Sequence, residues 1–125
     1  MNRNFVRAAG AAGALFNAAG VQSYLAYVGL LGPSVPLPDG ESPLPLVVHT
    51  AFAIAVFGGV IGSVGLLLLK SWARPVLWLG FVGAVVDWGW VLANSRTASV
   101  PLGVTVILVS LLLAVLAERH FRARV

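Results

Sequence analysis

The chain is predicted to be an all-α integral membrane protein, a four-helix bundle of up-down-up-down topology with both termini in the cytoplasm. Three observations carry this. Of its 125 residues, 59% are hydrophobic and only 10% charged, far from the balance of a globular domain. The apolar residues fall into uncharged runs over 8–31, 46–69 and 100–117, and a fourth run over 76–93 is interrupted only by Asp87. Each run is near the ~20 residues that cross a hydrocarbon core of ~30 Å. Seven of the eight Lys and Arg residues, Arg3, Arg7, Lys70, Arg74, Arg119, Arg122 and Arg124, lie at the two chain ends and between the second and third runs. With an even number of spans those places share one side, which the positive-inside rule makes the cytoplasm, and only Arg96 lies opposite.

The first helix, about 5–31, starts beside Arg3 and Arg7 and runs too long for the apolar region of a cleaved signal peptide, so it is expected to remain a span. Residues 32–45 follow as an extracytoplasmic loop holding five of the seven prolines together with Asp39 and Glu41. That proline density excludes helix. Val35, Leu37 and Leu44 leave two readings open, a lid over the bundle or a spacer at the membrane surface. The second helix, about 46–69, has two contrasting faces: Gly58, Gly62 and Gly65 form a packing stripe, and His49, Phe52, Val56, Gly59 and Ser63 lie opposite. A tight turn follows, in which Pro75 suits a first helical turn and Trp72 the membrane interface. The third helix covers about 73–94, a second short turn runs from Asn94 to Pro101, and the fourth helix covers about 100–119. Short connections predict antiparallel neighbours.

Composition excludes several function classes. There is no cysteine, hence no disulfide, thiolate nucleophile or iron–sulfur ligation. The net charge of +4 sits at helix ends, where it anchors topology and attracts anionic lipid head groups, so nucleic acid is not an expected partner. No glycine-rich phosphate loop, serine triad or paired-carboxylate constellation is visible. His49 and Asp87 are too few for zinc, which takes at least three protein ligands, and His120 belongs to the other membrane face. No metal site and no cofactor are expected.

At ~100° per residue, Gly10, Gly13, Asn17, Gly20 and Tyr24 share an arc of about 80° on the first helix. Gly80, Gly83, Asp87, Trp90 and Asn94 do the same on the third. The two sets correspond at a constant offset of 70 residues, consistent with a parallel repeat and also with chance among 14 glycines. Glycines at the cytoplasmic ends allow close helix approach, whereas the outer halves of the same faces become polar and aromatic, predicting a bundle tight inside and open outside. Asp87 lies about 18 Å from Pro75 at ~1.5 Å per residue, with Asn17 at similar height and His49, Tyr24 and Asn94 further out. Thr105 and Ser110 span the same levels on the fourth helix. Gln22 points away from the Asn17 face by about 140° and is expected against another helix or a second subunit. Trp90 shares the Asp87 face, while Trp88 and Trp78 are expected to face lipid or a neighbouring helix.

A carboxylate at membrane depth is costly, and a purely structural role would return only ~1 kcal/mol per polar contact. Asp87 therefore points to function as a proton carrier, a cation counter-charge or a general acid. The alternative is a buried carboxyl that bonds to Asn17, Tyr24 or Thr105 and glues helices together.

Some stretches carry a resemblance. Phe16-Asn17-Ala18-Ala19-Gly20 with Tyr24-Leu25, then the run from Ala51 to Gly59 with Gly62 and Gly65, then Trp72-Ala73-Arg74-Pro75, resemble a family of small four-helix bacterial membrane proteins loosely labelled sugar transporters or uncharacterised. A more distant likeness is to DoxX-like four-helix proteins. The resemblance implies the fold, a bacterial inner-membrane location and a shared polar face at Asn17, Gly20 and Tyr24. In that family an uncharged amide is expected near position 87, so Asp87 is a departure. Small multidrug-resistance transporters share length and helix count, but their membrane carboxylate lies on the first helix, where this chain has Asn17.

The leading expectation is a multi-pass protein of the bacterial inner membrane that contacts lipids and binds, or binds and translocates, a small or lipid-like ligand in an outward-facing polar cavity. Its ligand-binding residues are Asp87, Asn17, Tyr24, Trp90, Asn94 and His49. Two alternatives stand beside it: an accessory subunit, in a homo-oligomer or larger membrane complex, and a membrane-embedded isomerase, cyclase or hydrolase with Asp87 and His49 as its acid/base pair.

Overall fold

In a computed structural model, which describes residues 2–30, 45–94 and 99–122, the chain forms four helices. They are α1 (Arg3–Tyr27), α2 (Leu46–Leu67), α3 (Ala73–Asn94) and α4 (Val100–Arg122). Most of the proline-rich stretch expected as a loop or lid, 31–44, lies outside the described residues, as does Arg96. By length and composition, α2, α3 and α4 could each cross a membrane. Of the four expected spans, these three meet that measure among the described residues. α1 has 25 residues, but Arg3, Asn4, Arg7, Asn17, Gln22 and Ser23 dilute its apolar content.

Local chemistry sets the ends. The Asn2 side chain accepts from the Asn4 amide at 2.7 Å and caps α1. At the other end Gly29 takes φ 83°, and Leu30 and Gly29 donate to the carbonyls of Leu25 and Ala26. This glycine-terminated motif stops α1 at Tyr27, short of the expected 31. α2 ends the same way, with Lys70 donating to Gly65, but the left-handed position is held by Leu69 at φ 57°. Leu69 keeps that strained backbone because its side chain packs against the core cluster. The Ser99 hydroxyl accepts from the Leu102 amide at 3.2 Å at the start of α4, which continues to Arg122.

α2 is the keel, with α1 on one side and α3 on the other. Against α1, Gly10 lies on the Leu67 backbone, Gly13 on Ser63, Asn17 on Gly59 and Gly20 on Val56. Against α3, Gly58 lies on Gly80, Gly62 on Leu77 and Gly65 on Trp72. The two faces read from the α2 sequence are therefore its two docking surfaces. α4 packs on α3 and touches α1 and α2 only sparingly. The Gly103 backbone lies against the Trp88 indole, and the Arg74 guanidinium forms an ion pair with Glu118, whose carboxylate also accepts from Trp78 at 3.3 Å.

The tightly packed core sits in the half that carries the chain ends: Val6, Leu66, Ala73, Leu77, Leu113, Ala114, Ala117 and Phe121 are buried together. Arg7 secures that end by donating to the Leu67 carbonyl at 3.4 Å, over one of the free carbonyls that close α2. Ser63 is fully buried beside Gly13, and its hydroxyl has no hydrogen-bond partner among the described residues.

These contacts rank the glycines. A Cβ at Gly10 would stand 2.5 Å from the Leu67 backbone nitrogen, which cannot give way, whereas a Cβ at Gly89 meets nothing within 4 Å. Gly10→Ala should destabilise the bundle by about 1–3 kcal/mol through overpacking. Gly89→Ala should be neutral or stabilise it by up to ~1 kcal/mol through helix propensity. Unfolding in mixed micelles with a denaturing detergent measures both, and the reverse order would refute this packing.

Candidate functional site

The site is built from the halves of the helices away from the tight core. There α1 and α4 separate, and a cavity of about 410 Å³ opens among all four helices. Phe16, Asn17 and Gly20 line it from α1, Phe52, Ala55 and Val56 from α2. Asp87, Trp88 and Val91 line it from α3, and Leu102, Val106 and Ser110 from α4. The wall is mainly aliphatic and aromatic with a few polar groups, the usual chemistry of a small-molecule pocket.

Asp87 is only 5% exposed, and its carboxyl makes no hydrogen bond or ion pair with any described residue. Burial of a carboxyl without a donor or a cation is costly, and this one stands on the cavity wall. Asn17, 8% exposed, is held by donation from its Nδ2 to the Gly13 carbonyl at 2.8 Å. Its amide rests on Gly59, where a Cβ would overlap it. Gly59 is thus the glycine that lets a polar side chain reach the cavity between two closely packed helices.

The structure brings Asn17 and Asp87 to one cavity and places the other four sequence candidates elsewhere. The Tyr24 hydroxyl and His49 Nε2 lie 2.9 Å apart and bond to each other. Their rings meet edge to face at 5.4 Å, and Tyr27 packs on the same imidazole at 5.5 Å. This cluster meets the cavity wall at Phe52, whose ring lies 5.2 Å from that of Tyr24. Asn94 is exposed and donates to the Trp90 carbonyl at 2.9 Å, a local contact at the end of α3. Neither lines the cavity. Thr105 turns back to the Pro101 carbonyl at 2.7 Å, and Gln22 is exposed.

Trp88, expected to face lipid or a neighbouring helix, packs on Gly103 of α4 and also lines the cavity, which Trp90 does not. Both flank Asp87 on the helical wheel, so periodicity alone cannot choose between them. The choice is made by α4, whose Gly103 receives the Trp88 ring. Ser23 also lines the cavity, its hydroxyl donating to the Ala19 carbonyl at 3.2 Å. Among the described residues no three His, Asp or Glu side chains gather as metal ligands would.

No family model, curated protein or solved structure matches the chain.

The Asn17–Gly59 contact is directly testable. Gly59→Ala should cost about 1–3 kcal/mol of stability because the new methyl group displaces the Asn17 amide. Asn17→Ala in the same chain should recover part of that loss, and a double-mutant cycle on detergent unfolding measures the coupling. Strict additivity would show that the two residues do not touch.

Proposed function

We propose that this protein spans a bacterial inner membrane four times and binds a small or lipid-like molecule in the cavity around Asp87. The observation that carries this reading is the Asp87 carboxyl, buried, without a partner among the described residues and on a cavity wall. A side chain kept for stability alone would have found a donor on a neighbouring helix.

Topology belongs to the same proposal. Rising residue numbers on α1 meet falling numbers on α2, from Gly10 at Leu67 to Gly20 at Val56, which supports an up-down-up-down bundle. α1 then crosses the membrane with its polar side chains turned to α2 or placed at its ends. The basic residues Arg3, Arg7, Lys70, Arg74, Arg119 and Arg122 lie at the tightly packed end, which favours that end as the cytoplasmic one. The cavity then faces outward. The kinship with small four-helix bacterial membrane proteins, read from the sequence, is part of this proposal.

Binding is favoured over acid/base catalysis because His49 is engaged with Tyr24 and stands off the cavity wall. The wall suits a molecule with an apolar body, for contact with Phe16, Phe52 and Trp88, and a donor group for Asp87.

Native mass spectrometry of the protein released from a mild detergent should show a retained non-protein adduct. Asp87→Asn, which keeps the shape and removes the carboxylate, should reduce that adduct about tenfold, the loss of one charge-assisted hydrogen bond. An adduct of equal intensity in both proteins would remove Asp87 from the site, and no adduct in either would remove the binding function.

A further inference from the structure

α1 packs closely on α2 and barely touches α4, so the seam between α1 and α4 stays open along much of the bundle. In the half that holds the chain ends, this seam is an apolar groove of about 470 Å³, floored by Gly13 and Leu113 and walled by Phe5, Ala9 and Leu116. In the other half it becomes the Asp87 cavity, where the wall residues Ala19, Ser23 and Leu102 are also exposed on the outer surface of the bundle. The cavity therefore opens sideways between the two helices. Phe16 lines both spaces and stands where one passes into the other.

Depth and chemistry limit the occupant. A groove of this polarity on a membrane-spanning surface faces hydrocarbon, and an alkyl chain fills it without leaving a polar group unsatisfied. From Phe5 to Phe16 the groove follows α1 for ~16 Å at ~1.5 Å per residue, room for most of a long chain. At its upper end waits a buried carboxyl without a partner among the described residues, together with the Ser110 hydroxyl on α4. The comparable groove between α2 and α3, about 420 Å³ and lined by Val47, Ile54, Leu79 and Val82, has no such group. Its Thr50 hydroxyl is spent on the Leu46 carbonyl at 2.9 Å.

We infer that the cavity and the α1–α4 groove form one binding site for a single-chain amphipath, reached laterally from the bilayer, with the alkyl chain in the groove and a hydroxyl or ammonium head at Asp87. This rests on the reading of the Asp87 cavity as a binding site and adds the ligand class and its route. Phe16, which lines both spaces, stands between the alkyl chain and the head group.

Photolabelling of the full chain in liposomes of phosphatidylethanolamine and phosphatidylglycerol tests this. The probes are hexadecylamine and hexadecanol, each prepared with a diazirine either at mid-chain or next to the head group. Mid-chain probes should label residues 5–16 and 109–116, and head-group probes should label the cavity segments around Asp87 and Ser110. Ala12→Phe, which fills the groove without touching the cavity wall, should reduce mid-chain labelling about tenfold, with Ala9→Phe as the second variant should the first misfold. Head-group label in the cavity with mid-chain label spread over the outer faces of α2 and α3 overturns the lateral site and leaves the cavity as a binding site. Absence of cavity label from both amine and alcohol overturns the amphipath as ligand, while the native adduct described above still reports on the cavity itself.

Discussion

Close approach of α2 to both of its neighbours is the constraint from which the remaining geometry follows. In a bilayer, lipid tails compete with apolar side chains on nearly equal terms, so helix pairing depends on how near two backbones can come. On one face of α2 the approach is made by Gly10, Gly13 and Gly20 of α1, and on the other by its own Gly58, Gly62 and Gly65 against α3. α1 and α3 are thereby committed to opposite sides of α2. α4 follows α3, and the ring of four is left nearly unclosed between α1 and α4. At the end with the chain termini, Leu113, Ala114, Ala117 and Phe121 pack with Val6 and Leu66 into a core, and the seam beside it is a groove. At the other end the seam widens into the Asp87 cavity.

Within that frame the polar groups divide into two kinds. Tyr24 with His49, Arg74 with Glu118 and Trp78, and Asn17 with the Gly13 carbonyl all satisfy one another. The Arg74–Glu118 pair is partly exposed, with side chains 39% and 26% accessible, so solvent screening keeps its contribution small. Asp87 belongs to the other kind, since it gives the fold no contact that a leucine could not give. A buried, unsatisfied group of this sort is where a ligand's polar atom gains most from binding.

The helices were legible in the sequence because membrane spans declare themselves by length and apolarity, and α2, α3 and α4 do so. α1 was less so, since Gly10, Gly13, Asn17 and Gly20 serve contact with α2 and its polar residues lower its apolar content. The two faces of α2 were readable at 3.6-residue periodicity, as was the shared height of Asn17 and Asp87. What one helix's periodicity does not contain is register between helices. The Tyr24–His49 hydrogen bond and the Arg74–Glu118 pair each join residues far apart in sequence, 25 and 44 positions, and no wheel shows them. The exchange of Trp90 for Trp88 has the same origin: the arc around Asp87 is divided by where α4 docks at Gly103. Leu69 in a left-handed conformation ends α2 where a glycine would be the usual signal.

The central claim is that Asp87 is present for a ligand and not for the fold, and the unfolding free energy of Asp87→Leu against the wild type tests it most directly. Replacing an unpartnered buried carboxyl by an apolar side chain of similar size should leave stability unchanged or raise it by about 1–4 kcal/mol. A loss of about 3 kcal/mol or more would contradict the account, because it would show that the carboxyl holds the helices together.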